Sequence, residues 1–148
     1  MSDYEALGLS VLREAGWIPE RHVAMDEHES AIAAAGYLQS DRISAFLAEY
    51  GGLAVGAPVS GFSEVIAIDP ISAIATTSRA TVEEYEELVS APLIPVGAAY
   101  GGYLVVMMAA DGRFFGGYDD YLVYAGQSPA ELFGRIAAEQ LEEVDRTS

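Results

Sequence analysis

The sequence predicts an α+β fold: a mainly antiparallel central sheet, helices gathered at the N-terminal end, and one closing C-terminal helix. Three observations carry this. Apolar residues recur at helical spacing in segments before residue 51 and again after residue 128. β-Branched and aromatic residues recur between residues 93 and 124, broken by glycine pairs and by Asp111-Gly112. Strand and helix signals do not alternate regularly along the chain, which argues against a parallel sheet.

Each element has its own local reason. Ser2 and Glu5 have capping-box spacing, and Leu7, Val11 and Leu12 form an apolar stripe, so the chain opens with a helix. Gly16 suits a left-handed stop after it, and Pro19 blocks continuation. Trp17, the single tryptophan, reads as a core anchor at the helix exit, with a ligand platform as the alternative. Residues 25–35 predict a second short helix ended by Gly36. Ser40 or Asp41 caps a third over 41–50, where Ile43, Phe46, Leu47 and Tyr50 share a face before Gly51-Gly52. Residues 53–55 predict a brief strand and 56–61 a loop. Val65, Ile66 and Ile68 predict a strand leading into Asp69-Pro70, an N-cap followed by a first helical residue.

In the second half, Thr81 and Glu84 have capping-box spacing and predict a helix over 81–90, with Val82, Tyr85, Leu88 and Val89 on one face. Pro92 and Pro95 bracket the next extended stretch. Residues 103–109 predict a strand, Asp111-Gly112 a hairpin turn, 113–115 the returning strand and 121–124 a further one. Ser128, Pro129 and Glu131 open the closing helix, whose apolar face is Leu132, Phe133, Ile136, Ala137, Leu141 and Val144. The final four residues are expected to fray. With no repeat and no linker, a single domain over 1–148 is expected.

Composition bounds the function. Of 148 residues, 51% are hydrophobic and 20% charged, a globular balance. A chain of this length buries about 70% of its unfolded surface. The absence of cysteine removes disulfides, thiolate metal sites, iron–sulfur clusters and cysteine nucleophiles. The longest apolar run, 103–110, is far short of the roughly 20 residues a membrane helix needs. The opening stretch is acidic and helix-forming, unlike a secretory signal, so the expected compartment is the cytoplasm. There are 23 acidic residues against seven arginines and no lysine, for a formal net charge of −16. Such a surface repels phosphate backbones and anionic membranes, so neither nucleic acid nor membrane is expected as a direct partner. A basic macromolecule would be steered in; the alternative is that the acidity maintains solubility.

No catalytic residue, metal ligand or cofactor is assigned, and an enzyme is not expected. His22 and His28 lie six apart with no cysteine to assist, and read as two exposed histidines. Asp111-Gly112 lacks the other ligands of a calcium loop. Asp119 and Asp120 are adjacent, a poor geometry for paired carboxylates if they lie in a strand. No serine sits in Gly-x-Ser-x-Gly. The glycine pairs at 51–52, 101–102 and 116–117 lack phosphate-loop spacing. Glu83, Glu84, Glu86 and Glu87 crowd one helix as either a solvated face or a patch that meets arginines or lysines of a partner. Tyr85, Tyr118 and Tyr121, with Asp119 and Asp120, are interface material, although tyrosines in strands also serve ordinary packing.

The motifs form an ordered series. Leu12 through Gly16-Trp17-x-Pro19-x-Arg21 resembles the opening block of the third family of the SUKH immunity-protein superfamily. Phe46-Leu47-x-x-Tyr50-Gly51-Gly52-Leu53 is similar to its next block, and Ile68-Asp69-Pro70 to the strand-to-helix block after it. Pro95-Val96-Gly97 and Asp111-Gly112-Arg113 resemble the two turns of its central hairpin, and Gly126-x-Ser128-Pro129 its closing-helix start. The resemblance covers almost the whole chain. It implies an α+β immunity protein of a bacterial polymorphic-toxin system, which binds and neutralises a cognate toxin, frequently a nuclease, inside the producing cell. It implies no catalytic residues, and a toxin-contacting surface that varies between members; residues 76–90 fall between motifs. A basic nuclease would complement the acidic chain. A regulatory or scaffold binding module on the same fold is the alternative function, and the oligomeric state is open.

Overall fold

The structure, a computed structural model, describes residues 3–24, 26–37, 40–55, 66–118 and 121–144. The helices are α1 (Asp3–Glu14), α2 (Asp26–Ala34), α3 (Asp41–Tyr50), α4 (Pro70–Thr76), α5 (Arg79–Val89) and α6 (Pro129–Ala138). The strands are β1 (Ala54–Val55), β2 (Ile66–Ala67), β3 (Leu93–Ala99), β4 (Leu104–Ala109), β5 (Phe114–Tyr118), β6 (Tyr121–Gly126) and β7 (Glu142–Glu143). They pair in sequential order, each pair antiparallel. The α+β class and the antiparallel sheet are as the sequence predicts. Ser2, Met25, residues 56–61, Val65 and the final four residues, on which expectations were placed, lie outside the described residues.

Helix ends follow local chemistry. Gly16 (φ +96°) closes α1. The Trp17 N–H donates to the Leu12 carbonyl at 3.0 Å and the Gly16 N–H to that of Arg13 at 3.1 Å, the paired bonds of a Schellman stop. Asp69 accepts from the Ser72 N–H at 3.2 Å and Ser128 from the Glu131 N–H at 3.1 Å, each ahead of a proline.

Several local expectations are corrected. The cap of α5 is Ser78, whose hydroxyl oxygen accepts from the Thr81 N–H at 3.1 Å. Two capping sites compete three residues apart, and the earlier one adds a turn that brings Arg79 within reach of Glu83 and Glu86. Pro95 lies inside β3 rather than at its end. Pro95-Val96-Gly97 is a bulge, since Pro95 pairs with Met107 and Gly97 with Val106, leaving Val96 extra. Proline cannot donate to the ladder, and a bulge absorbs that defect. In α1, Leu7 is exposed and Gly8 buried. The α6 helix stops at Glu139 in left-handed conformation, so Leu141 and Val144 reach the core from the chain around β7, not from a helical face.

Glycine decides how the helices stack. A Cβ on Gly8 would strike the backbone carbonyl of Ala130, and one on Gly134 that of Tyr4. The α1 and α6 backbones therefore touch directly where they cross. Phe46 of α3 packs on Phe114 with ring centroids 5.0 Å apart, and Tyr50 lies 5.8 Å from Phe133 of α6. Gly117 lies three residues after Phe114 and so points to the opposite face, where it meets Tyr85 of α5. Helices thus cover both faces of the sheet, and the buried side chains form one hydrophobic cluster.

Candidate functional site

The four glutamates of α5 do not form one patch. Successive helical residues turn through about 100°. Val82 and Tyr85 face the sheet and are buried. Glu86 lies beside them, half-buried, accepting from the Leu93 N–H at 2.8 Å and from Arg79 at 3.1 Å. It ties the helix to the start of β3. Glu83 is exposed and 3.8 Å from Arg79; Glu87 is exposed. Glu84, on the other flank, lines a groove.

That groove has a volume of about 900 Å³. It is lined by Thr81, Glu84 and Tyr85 of α5, by Val105 and Gly117 of the sheet, and by Tyr103, Tyr118 and Tyr121 at the strand ends. Tyr85 is 4% exposed and forms its inner wall. Tyr118 and Tyr121 pair across β5 and β6, with stacked rings 5.3 Å apart at 23°. They are 41% and 48% exposed. Of the residues singled out from sequence, Glu84, Tyr85, Tyr118 and Tyr121 therefore meet at one place, while Glu83, Glu86 and Glu87 point elsewhere. Asp119 and Asp120 lie outside the described residues.

Sequence reasoning missed Tyr103, which is 77% exposed. It follows a tight turn in which Gly101 and Gly102 both adopt positive φ (+70° and +96°). An aromatic directly after a glycine pair was the available signal. Tyr103 and Tyr118 also line a second hollow of about 360 Å³ with Tyr100, Leu104, Val123 and Glu139. The Tyr100 hydroxyl donates to the Ile136 carbonyl at 2.8 Å. Burial pushes its pKa up to about 12, and the nearby Glu139 carboxylate adds to the rise.

Five arginines bond to other groups of the chain. Arg21 donates to the Glu49 carbonyl, Arg42 to that of Asp111, Arg113 to the Asp111 carboxylate and Arg135 to Glu131. Arg79 holds Glu86 and lies over the Tyr37 ring at 4.9 Å. Of the histidines, His22 is exposed as expected; His28 is half-buried instead, its Nδ1 without a partner and its ring beside Gly51. No helix among the described residues is long and apolar enough to cross a membrane.

Two of the ordered blocks fold onto each other. The Trp17 indole N–H donates to the Glu49 carboxylate at 2.9 Å, its ring stacks on Tyr50 at 6.0 Å, and Arg21 reaches the Glu49 carbonyl at 2.6 Å. These residues hold the α1 exit to the end of α3, a scaffold role. The chain is thus an α+β protein with the element order that the motif series implies. Residues 8–139 match the family described as SUKH-3 immunity protein, and the chain belongs to that family. No curated protein and no solved structure matches it.

Proposed function

We propose that this protein is a cytoplasmic immunity protein that binds a cognate polymorphic toxin, basic and of the nuclease kind, and neutralises it stoichiometrically without turnover. The family match over residues 8–139 is the observation that carries this reading. The charge supports the basic partner: at −16 the chain attracts a protein built to grip phosphate. The contact surface we assign is the groove beside α5, with Glu84, Tyr118 and Tyr121 at its rim and Tyr85 as its inner wall. Glu83 and Glu87 supply long-range attraction. Asp119 and Asp120, next in the chain to those tyrosines, belong to the same proposed surface. Exposed tyrosines beside carboxylates suit arginine and lysine side chains of a partner.

The test is titration of the toxin domain encoded beside this chain's gene with the purified protein. Toxin activity should fall linearly and reach zero at one equivalent. Unchanged activity at excess protein, or complete inactivation well below one equivalent, would refute stoichiometric neutralisation.

A further inference from the structure

The groove beside α5 and the smaller hollow at Glu139 open at the same end of the sheet but on opposite faces. Val105 lines the first and Leu104 the second, and neighbouring strand residues point to opposite faces. Tyr103 and Tyr118 line both. They stand as an aromatic ridge over the sheet end, with one hollow on either side.

Among the described residues each hollow carries one carboxylate, Glu84 in the groove and Glu139 in the other. Neither is in an ion pair among the described residues. Glu139 is placed against its own helix. It sits at the C-terminal end of α6 with φ +56°, where a left-handed backbone favours glycine and the macrodipole already presents negative charge. Carboxylate and helix end therefore add, and both attract a cation. Arg135, the arginine of α6, pairs with Glu131 and Glu142 and donates to the Gln140 carbonyl at 3.2 Å, and makes no ion pair with Glu139. Meanwhile Trp17, Phe46, Phe114, Phe115 and Phe133 are buried, and Tyr103 is left 77% in solvent. A ring so exposed between two unpaired carboxylates has the makeup of an interface anchor.

We infer that this ridge with its two hollows is a bipartite seat for a segment of the partner protein bearing two arginines, one on each side of Tyr103 and Tyr118. Arginine fits better than lysine, because its planar guanidinium both stacks on a tyrosine ring and meets a carboxylate in bidentate fashion. The inference rests on the immunity reading for the identity of the partner, and on the geometry alone for the arginine chemistry. A nucleic acid or a second copy of this chain, both strongly anionic, would be repelled from it.

The chemistry is tested on the isotope-labelled full chain by NMR titration with capped peptides holding two arginines separated by one to four alanines. Glutamate counterparts serve as controls. Shifts should concentrate at the amides of Glu84, Tyr103, Tyr118 and Glu139 for at least one spacing. They should vanish in a Tyr103→Ala, Glu84→Gln, Glu139→Gln variant that keeps the parent's remaining spectrum. Absence of shifts at these amides for every spacing overturns the seat. So do shifts spread evenly over the acidic surface. In the second arm, the toxin domain encoded beside the gene should lose about tenfold in affinity to Tyr103→Ala, and about threefold to each glutamine variant, with thermal midpoints not lowered, and raised in Glu139→Gln by relief of the helix-end repulsion. A parent that binds this toxin while Tyr103→Ala binds equally overturns the seat and leaves the immunity reading intact. A parent that ignores the toxin while the peptides shift these amides refutes the immunity reading and leaves the seat standing.

Discussion

The ring of Tyr85 occupies the space that a side chain at Gly117 would need: a Cβ there would lie 2.5 Å from Tyr85 Cε2 and 2.9 Å from Met107 Cε. This contact sets how closely α5 approaches the sheet, and with it the depth of the groove. Gly117→Ala should therefore cost about 1–3 kcal/mol through overpacking. It should also weaken toxin binding by displacing Glu84. Denaturant unfolding and binding measured on the same variant check this, and unchanged values for both would show that α5 is not held by the contact.

Trp17 is buried, stacked on Tyr50 and bonded to Glu49, so its role is in the core. Trp17→Ala should lose about 3–5 kcal/mol. Trp17→Phe keeps much of the apolar ring area and loses the indole bond, a cost nearer about 1 kcal/mol. A loss below about 1 kcal/mol for the alanine variant, with partner binding reduced instead, would make Trp17 an interface residue.

One hydrophobic cluster runs from Val11 to Ala137 through the helices on both sheet faces. Calorimetry on the pure chain should therefore show a single unfolding transition whose calorimetric and van't Hoff enthalpies agree. Two separated transitions would mean that the chain folds as independent units.

Alkaline pH should unfold the protein through its tyrosines. Burial raises the hydroxyl pKa values of Tyr37, Tyr50, Tyr100 and Tyr124 above the usual 10.0, that of Tyr100 to about 12. The unfolded chain releases these protons near pH 10 while the folded chain retains them. Above that pH the unfolded state binds fewer protons, so stability falls as pH rises. The contribution is whole below about pH 10 and, for Tyr100, is lost on rising through about pH 12. Unfolding free energies should be flat from about pH 8 to 9.5 and then decline, less steeply in Tyr100→Phe. A parent and variant with identical alkaline slopes would exclude Tyr100 as a source.

Association with a basic toxin should be fast and strongly salt-dependent, since attraction between exposed charges is screened over about 8 Å at physiological ionic strength. The informative variant is Glu83→Gln, Glu84→Gln and Glu87→Gln together. Glu86 is left intact because it holds Arg79 and the Leu93 N–H. Its on-rate should start below the parent's and fall less with added salt. Equal salt slopes would remove α5 from the steering, and an acidic toxin would remove the steering itself.

The sequence alone determined what neighbouring residues settle among themselves. The antiparallel α+β class was legible from the order of helix and strand signals, and the stops at Gly16 and Gly36, the caps at Asp69 and Ser128 and the Asp111-Gly112 turn because their hydrogen bonds close within a few residues. The ordered motifs were legible for the same reason, and with them the family. Even locally, competition misled: Ser78 took the cap from Thr81, and Val96 became a bulge once Pro95 had to pair with β4. Part of the proposed site was also visible, since Glu84, Tyr85, Tyr118 and Tyr121 were singled out and meet at one groove. Only the tertiary structure decided the rest. It divided the four glutamates between a groove, a solvent face and an internal bond. It placed Glu84 and Glu139 on either side of the ridge formed by Tyr103 and Tyr118. It gave Gly8 and Gly134 their purpose, since a glycine inside a helix costs about 1 kcal/mol against alanine until another backbone needs the space. The Gly8–Ala130 and Gly134–Tyr4 contacts, and the hollow shared by Tyr103 and Glu139, each join residues more than 30 positions apart, a relation that local spacing does not encode.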